Sequence, residues 1–304
     1  MTVNAPSGQQ YALEAGPVRA VAVEVGGGLR TLEVDGRPLL DGYRESEMAS
    51  GAQGQPLLPW PNRLPGGRWS WEGQDLVLPV DEPGTGCAIH GLTRWSGWTR
   101  HELGPGRLAL GHVLVPRPGW PFRLTLRMGY ALTSGGIEVS VAARNDGPQA
   151  APFGAGMHPY LTVDTPLIDA ALLTIPASAR VVMGADRLPS GVADVAGDMD
   201  FRASRALAAT RLDDCFTRLD RDADGRARVR LSGGGRAVEL WVDGSWPYLM
   251  VFTGDTLEPG RRRRALAVEP MTCPPGALAT GQDLVRLEPG QEWEGRFGIE
   301  AVAP

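Results

Sequence analysis

Four histidines, set among 35 aspartates and glutamates, are the first candidates for acid–base chemistry in this chain. His158 stands in "GAGMHPYL", where the preceding glycines supply no bulk, Pro159 stiffens the backbone beyond it and Tyr160 can wall a pocket. Imidazole both gives and takes a proton near neutrality, so a histidine in so bare a setting is a candidate acid or base, with the glycines leaving room for a ligand. A carboxylate candidate stands in "RRRRALAVEPMTCPPGAL". There Leu266 and Val268 alternate as in a strand, and Glu269 is expected at the strand's end, just before Pro270 and a loop. Facing a cleft, that carboxylate would serve as a base; facing solvent, it would be a strand-end charge paired with one of Arg261 to Arg264.

Other polar residues have two readings each. In "LPWPNRLPGGRW", Asn62 and Arg63 lie between prolines and present several fixed donors, suited to hydroxyls or a carboxylate or to closing the loop itself. His90, in "CAIHGLTRWSGW", precedes a glycine and two tryptophans whose flat faces can stack on a ring; alternatively it caps a turn. His112 alternates with Leu108, Leu110 and Leu114 and reads as a core or edge histidine, while His101 reads as surface. Asp213 and Asp214 in "RLDDCFTRL" could bind cations or hydroxyls, or cap a turn. The run Arg261 to Arg264 reads as a solvated turn, with an anionic substrate group as the second reading.

The elements that position these residues are strands. In "PFRLTLRMGYAL", Phe122, Leu124, Leu126, Met128, Tyr130 and Leu132 share one face, opposite Arg123, Thr125 and Arg127; "TSGG" turns the chain into "IEVSVAA". The same alternation recurs in "RAVAVEV", "LRTLEVDG", "RWSWEGQDLVLPV", "RARVRLSGGGRAVELWVDG", "YLMVFTG", "ALAVE" and "EWEGRFGIEAV". Helical periodicity is confined to "FRASRALAA" and the stretch after "CPPGAL". Forty-one glycines and 26 prolines punctuate the 304 residues, and no linker or repeat divides them. The expectation is an all-β chain, 1–304, folded as one domain in a large antiparallel β-sandwich with very few short helices.

Composition narrows the function classes. A net charge of -5 without a basic stripe disfavours nucleic acid, and no apolar run reaches bilayer length. The opening "MTVNAPSGQQ" lacks the basic and apolar regions of a leader, so a cytoplasmic, non-membrane protein is expected. All 30 basic residues are arginine; without lysine there is no side-chain Schiff base and no P-loop lysine, leaving only the N-terminal amine. Three widely spaced cysteines, Cys87, Cys215 and Cys273, argue against a disulfide framework. Cys87 with His90 and His158 lacks the paired spacing of a zinc site.

Taken in order, "PNRLPGGRW", "AIHGLTRW", "GMHPYL", "LDDCF", "VFTGD" and "AVEPMTCPPGAL" resemble the aldose 1-epimerase, or galactose mutarotase, family from about Leu57 to about Leu278. The resemblance implies the galactose mutarotase-like supersandwich and an isomerase that interconverts the α and β anomers of an aldohexose without a cofactor or metal. It implies Glu269 as general base, His158 as general acid, Asn62, Arg63, His90 and Asp213 as holders of hydroxyls, and Tyr160 lining the site. Where galactose-specific members carry a glutamine before a "YTGN"-like turn, this chain has Met250 before "VFTGD", which leaves the natural sugar open. A hexose 6-phosphate epimerase using the 261 to 264 arginines, and a non-catalytic sugar-binding sandwich, are the competing readings; a monomer or homodimer fits all of them.

Overall fold

In this computed structural model, which describes residues 5–304, the chain forms two large antiparallel sheets of nine and eight strands, with a four-stranded sheet and three two-stranded ribbons around them. The stretch read for a leader begins in residues 1–4, and the N-terminal amine with it, outside the described residues. The alternating segments lie where their periodicity puts them. Leu124–Leu132 pairs with Gly136–Asn145 across the "TSGG" turn, and Leu124, Leu126, Met128 and Tyr130 are all buried. "RWSWEGQDLV" is a hairpin of its own, Arg68–Trp71 with Gln74–Val77, turned at Glu72 and Gly73 in left-handed backbone.

Buried side chains from the inner faces of both large sheets and from the four-stranded sheet join one apolar cluster, from Tyr11 to Ile299. The nine-stranded sheet has Glu292–Val302 at its middle, between Gly136–Asn145 and Arg236–Val242. Helix is scarce among the described residues: one four-residue turn, Ala277–Thr280, and two 3₁₀ turns. The helical turn expected in "FRASRALAA" is instead a bend and a short strand, Arg205–Ala206, hydrogen-bonded to Leu172–Thr174. No helix among the described residues is long and apolar enough to cross a membrane. All three cysteines are free and buried.

The eight-stranded sheet carries the polar residues of interest. Its path runs Pro189–Asp194, Ala177–Met183, Asp213–Leu219, Tyr248–Phe252, Leu266–Met271, Gly156–Met157, Pro56–Leu57, with Tyr160–Leu161 also on Leu266–Met271. Because side chains alternate across a strand, Leu249, Val251, Leu266 and Val268 face the core while Met250 and Glu269 share the opposite face. Cys215, Met250 and Glu269 are neighbours across three strands on that face.

Candidate active site

Glu269 lies within the strand Leu266–Met271 rather than at its end, and is 2% exposed, so the reading of a solvent-facing strand-end charge fails. Pro270 does not stop the strand because its missing N–H falls toward the facing stretch from Ala155 to Pro159, where Val268 N donates to Pro159 O and Thr272 N to Ala155 O. The facing chain is registered by Tyr160 opposite Ala267 and Gly156 opposite Met271. Counting inward from both pairs brings His158 directly across from Glu269, and their side chains meet with His158 Nε2 3.2 Å from Glu269 Oε1. His158 Nδ1 and Glu269 Oε2 are buried and have no partner within the described residues. The glycines before His158 make room for protein instead of ligand: a Cβ at Gly154 would meet Cys273 Sγ at 2.7 Å, and one at Gly156 would meet Pro61 Cβ at 2.9 Å.

Tyr160 stacks on the His158 ring at 4.9 Å with 14° between planes, anchored by its hydroxyl donating to Gly51 O at 3.0 Å. His90 meets the same imidazole edge-on, ring centroids 5.5 Å apart. His90 and Asn62 are bound reciprocally: His90 N donates to Asn62 O at 3.0 Å and Asn62 N donates to His90 Nδ1 at 3.2 Å. An N–H donor at Nδ1 leaves the ring proton on Nε2, so His90 is a hydrogen-bond donor from that nitrogen. Both take left-handed φ, 62° at His90 and 59° at Asn62, a conformation that costs ~1–3 kcal/mol each and is held here by the surrounding pairing. Gly91, also left-handed, passes so close to Leu58 that a Cβ would lie 1.9 Å from its carbonyl oxygen.

These residues stand in and beneath an open cleft of about 800 Å³. Asn62, Arg63, Asp213 and Met250 line it, with Cys215, Arg180 and Arg187, while His90, His158, Tyr160 and Glu269 are buried. Asn62 Oδ1 accepts from Arg63 N at 2.8 Å, leaving its amide N–H groups as donors. The structure separates the two aspartates: Asp214 is bound by Arg180 at 3.0 Å, whereas the Asp213 carboxylate has no salt bridge among the described residues. One residue that the sequence did not single out is Glu82, which receives Arg63 Nε at 2.6 Å and Nη2 at 2.9 Å. Its only sequence signal is an acid at the start of the turn "EPGTG".

The predicted stacking tryptophans are elsewhere. Trp98 is buried against His112, Trp95 is 59% exposed beneath the Arg94 guanidinium, and neither lines the cleft. The arginine run is likewise occupied outside the cleft lining. Arg261 and Arg264 reach Asp41, Arg262 donates to Leu257 O, and Arg263 binds Asp169 and Asp255. Each of the four side chains thus already has a partner within the chain. His112 is half-buried with Nδ1 3.1 Å from Gly97 O, and His101 is exposed. No group of three or more His, Cys, Asp and Glu side chains converges for a metal among the described residues.

Burial sets the electrostatics. It pushes the Glu269 carboxyl well above the usual carboxylate range, with Asp213 adding to the rise and Arg63 opposing it. Burial also brings His158 down to about 3, with Arg94 and Arg63 contributing, and holds His90 well below an ordinary imidazole. Enclosure by the cleft walls raises Asp213 against the pull of Arg63. Burial thus favours the neutral form of both His158 and Glu269. An adjacent acid and base of this kind can take a proton from one atom of a ligand while giving one to its neighbour.

A family model described as aldose 1-epimerase matches residues 9–300. The uncharacterized protein YihR of Escherichia coli K12 is 34% identical over 295 residues, covering 96% of this chain and 93% of YihR; the uncharacterized protein YphB of the same organism is 25% identical over 286 residues, covering 92% and 94%. Among solved structures, a GalM/aldose epimerase homologue from C. elegans superposes with a TM-score of 0.85 at 16% identity, covering 97% of this chain and 99% of that one. Galactose 1-epimerase from Lactobacillus acidophilus gives 0.80 at 18% identity, covering 96% and 93%.

Proposed function

Because the chain belongs to the aldose 1-epimerase family, we propose that it interconverts the α and β anomers of an aldohexose by opening and reclosing the sugar ring. Anomer exchange requires loss of the proton on the anomeric hydroxyl and gain of one on the ring oxygen. Those two oxygens share one carbon, so acid and base must converge on a single point. The observation that carries the reading is the 3.2 Å approach of His158 Nε2 and Glu269 Oε1 beside the cleft, each side chain retaining an unpartnered atom.

In this mechanism Glu269 takes the hydroxyl proton while protonated His158 gives its proton to the ring oxygen, and the C1–O5 bond breaks to leave an aldehyde. The charged pair thereby becomes a neutral one, which is the state that burial favours on both residues. Rotation about C1–C2 presents the other carbonyl face. Closure then returns the proton from Glu269 to the new anomeric oxygen while His158 recovers its own from the C5 hydroxyl. General acid and base assistance of this kind contributes ~10²- to 10⁴-fold, without a covalent intermediate. Asn62, Arg63 and His90 Nε2 donate to hydroxyls and Asp213 accepts from one, a positioning role. Tyr160 holds the His158 ring by stacking.

Polarimetry of freshly dissolved α-glucose and α-galactose, with the native protein and with Glu269→Gln, tests the proposal. Acceleration lost in the variant supports it. Binding seen by calorimetry without acceleration of either sugar would replace it with the binding-module reading.

A further inference from the structure

The cleft's donor Arg63 stands close enough to two carboxylates, Asp213 and Glu269, to pull on both electrostatically. Each has its own task in the proposed reaction, and a guanidinium free to swing would pair with one of them. What the structure supplies is a third carboxylate. Glu82 takes Arg63 Nε at 2.6 Å and Nη2 at 2.9 Å, a two-pronged contact that fixes the plane of the guanidinium and leaves Nη1 without a partner among the described residues.

Glu82 is itself fixed. Its N–H donates to Cys87 O at 2.9 Å, and the Thr85 hydroxyl donates to its carboxylate. Cys87 begins the strand Cys87–Ile89, which pairs with Arg63–Pro65. The holder and the held residue thus sit on one ribbon, and that ribbon ends at Asn62 and His90, two more of the proposed sugar contacts. Asp81, immediately before, accepts from Ile89 N at 2.8 Å, so the turn is tied to the strand at both of its acids.

We propose that Glu82 is a positioning residue of this site, holding Arg63 in the donor orientation and away from Asp213 and Glu269. The proposal rests on the epimerase reading above for its catalytic meaning, but the geometry it asserts does not. It differs from a simple stabilising ion pair in one consequence: without Glu82, Arg63 moves onto the working carboxylates and changes how they titrate. The groups facing Glu82 are Arg63, Thr85, Arg187, Arg94 and Asp213; those facing Glu269 are His158, Asp213, Arg63, Tyr160 and Cys215. Of these, Arg63 is the cation common to both sets and the one that the Glu82 carboxylate binds directly.

The test compares Glu82→Gln, Arg63→Gln and the double variant, with Glu82→Asp as the variant that keeps the charge. Glu82→Gln is expected to lower kcat ~10- to 100-fold, the scale of a misplaced contact group. It should also move the acid limb of the kcat/KM profile to lower pH, because a cation nearer Glu269 favours its ionised form. In the Arg63→Gln background the same change should add nothing, and Glu82→Asp should recover part of the rate. Native kcat and an unmoved limb in Glu82→Gln, or effects that simply add in the double variant, overturn the proposal.

A second readout needs no substrate and separates this proposal from the epimerase reading. In a ¹H–¹⁵N spectrum the Arg63 Nε–H, bound to a carboxylate, is expected as a downfield, slowly exchanging signal that Glu82→Gln abolishes. If the native protein accelerates no aldose, the epimerase reading fails while this signal still decides the holding role. A signal indifferent to Glu82→Gln in a folded protein refutes it.

Discussion

Replacing Glu269 by glutamine should inactivate the protein and stabilise it, with the stability gain depending on pH. The carboxylate is 2% exposed, Oε2 has no partner, and burial holds its pKa above the unfolded value of 4.5. A group whose folded pKa is raised contributes fully below its unfolded pKa and loses that contribution as pH rises through the folded pKa. Native protein and variant should therefore be about equally stable near pH 4, and the variant should gain as pH rises. Glutamine leaves the same position unpartnered but has no charge to bury, so where the native carboxylate ionises the variant should gain ~1–3 kcal/mol, roughly 2–6 °C in Tm, by pH 8. His158, present in both proteins, enters with the opposite sign, losing its contribution as pH falls from 6.5 toward about 3. Activity should fall ~10²- to 10⁴-fold, or about 2.7–5.4 kcal/mol of barrier. Calorimetric melting from pH 4 to 8, with polarimetry on the same samples, reads both effects. A variant no more stable at pH 8 than at pH 4 relative to native would refute the buried-carboxylate argument, and one with native turnover would refute the base assignment.

Other contacts make outcomes of their own. With Glu269 as base, its raised pKa sets the acid limb of kcat/KM, which should lie above the ordinary carboxylate value of 4.5; a polarimetric profile whose acid limb falls at or below that value contradicts the buried base. Arg263→Ala should destabilise by about 1 kcal/mol in urea titration by removing the cation shared by Asp169 and Asp255, yet leave KM unchanged; a raised KM would return the arginine run to the site. Gly91→Ala should cost at least about 2 kcal/mol and displace His90, since the new Cβ meets Leu58 O; a fully active, equally stable variant would show that the backbone yields there.

Much of the sandwich was legible because period-two alternation is local: Leu124 to Tyr130 declare a face without knowledge of any partner strand. The family's scattered pieces were legible too, as types in order. What joins them was not. His158 and Glu269 are separated by more than a hundred residues, and only the register of two short segments against Leu266–Met271 brings them together. Pro270 reads as a terminator in sequence because its tolerance depends on which side of the strand its missing N–H falls. Trp95 and Trp98 look alike in sequence, but one lies under an arginine at the surface and the other against His112. Glu82 escapes notice because an acid in a turn is ordinary until its partner is seen.

The central position of Glu292–Val302 bears on how the chain is made. The strand that leaves the ribosome after the other described strands is the one that joins Gly136–Asn145 to Arg236–Val242. Without that pairing, Gly136–Asn145 and Arg236–Val242 each lack a neighbour on one side, which leaves N–H and C=O groups there unpaired. Pairings so distant in sequence close slowly and expose such edges to other chains meanwhile. Slower growth or lower temperature should thus raise the folded fraction on expression, read as soluble yield.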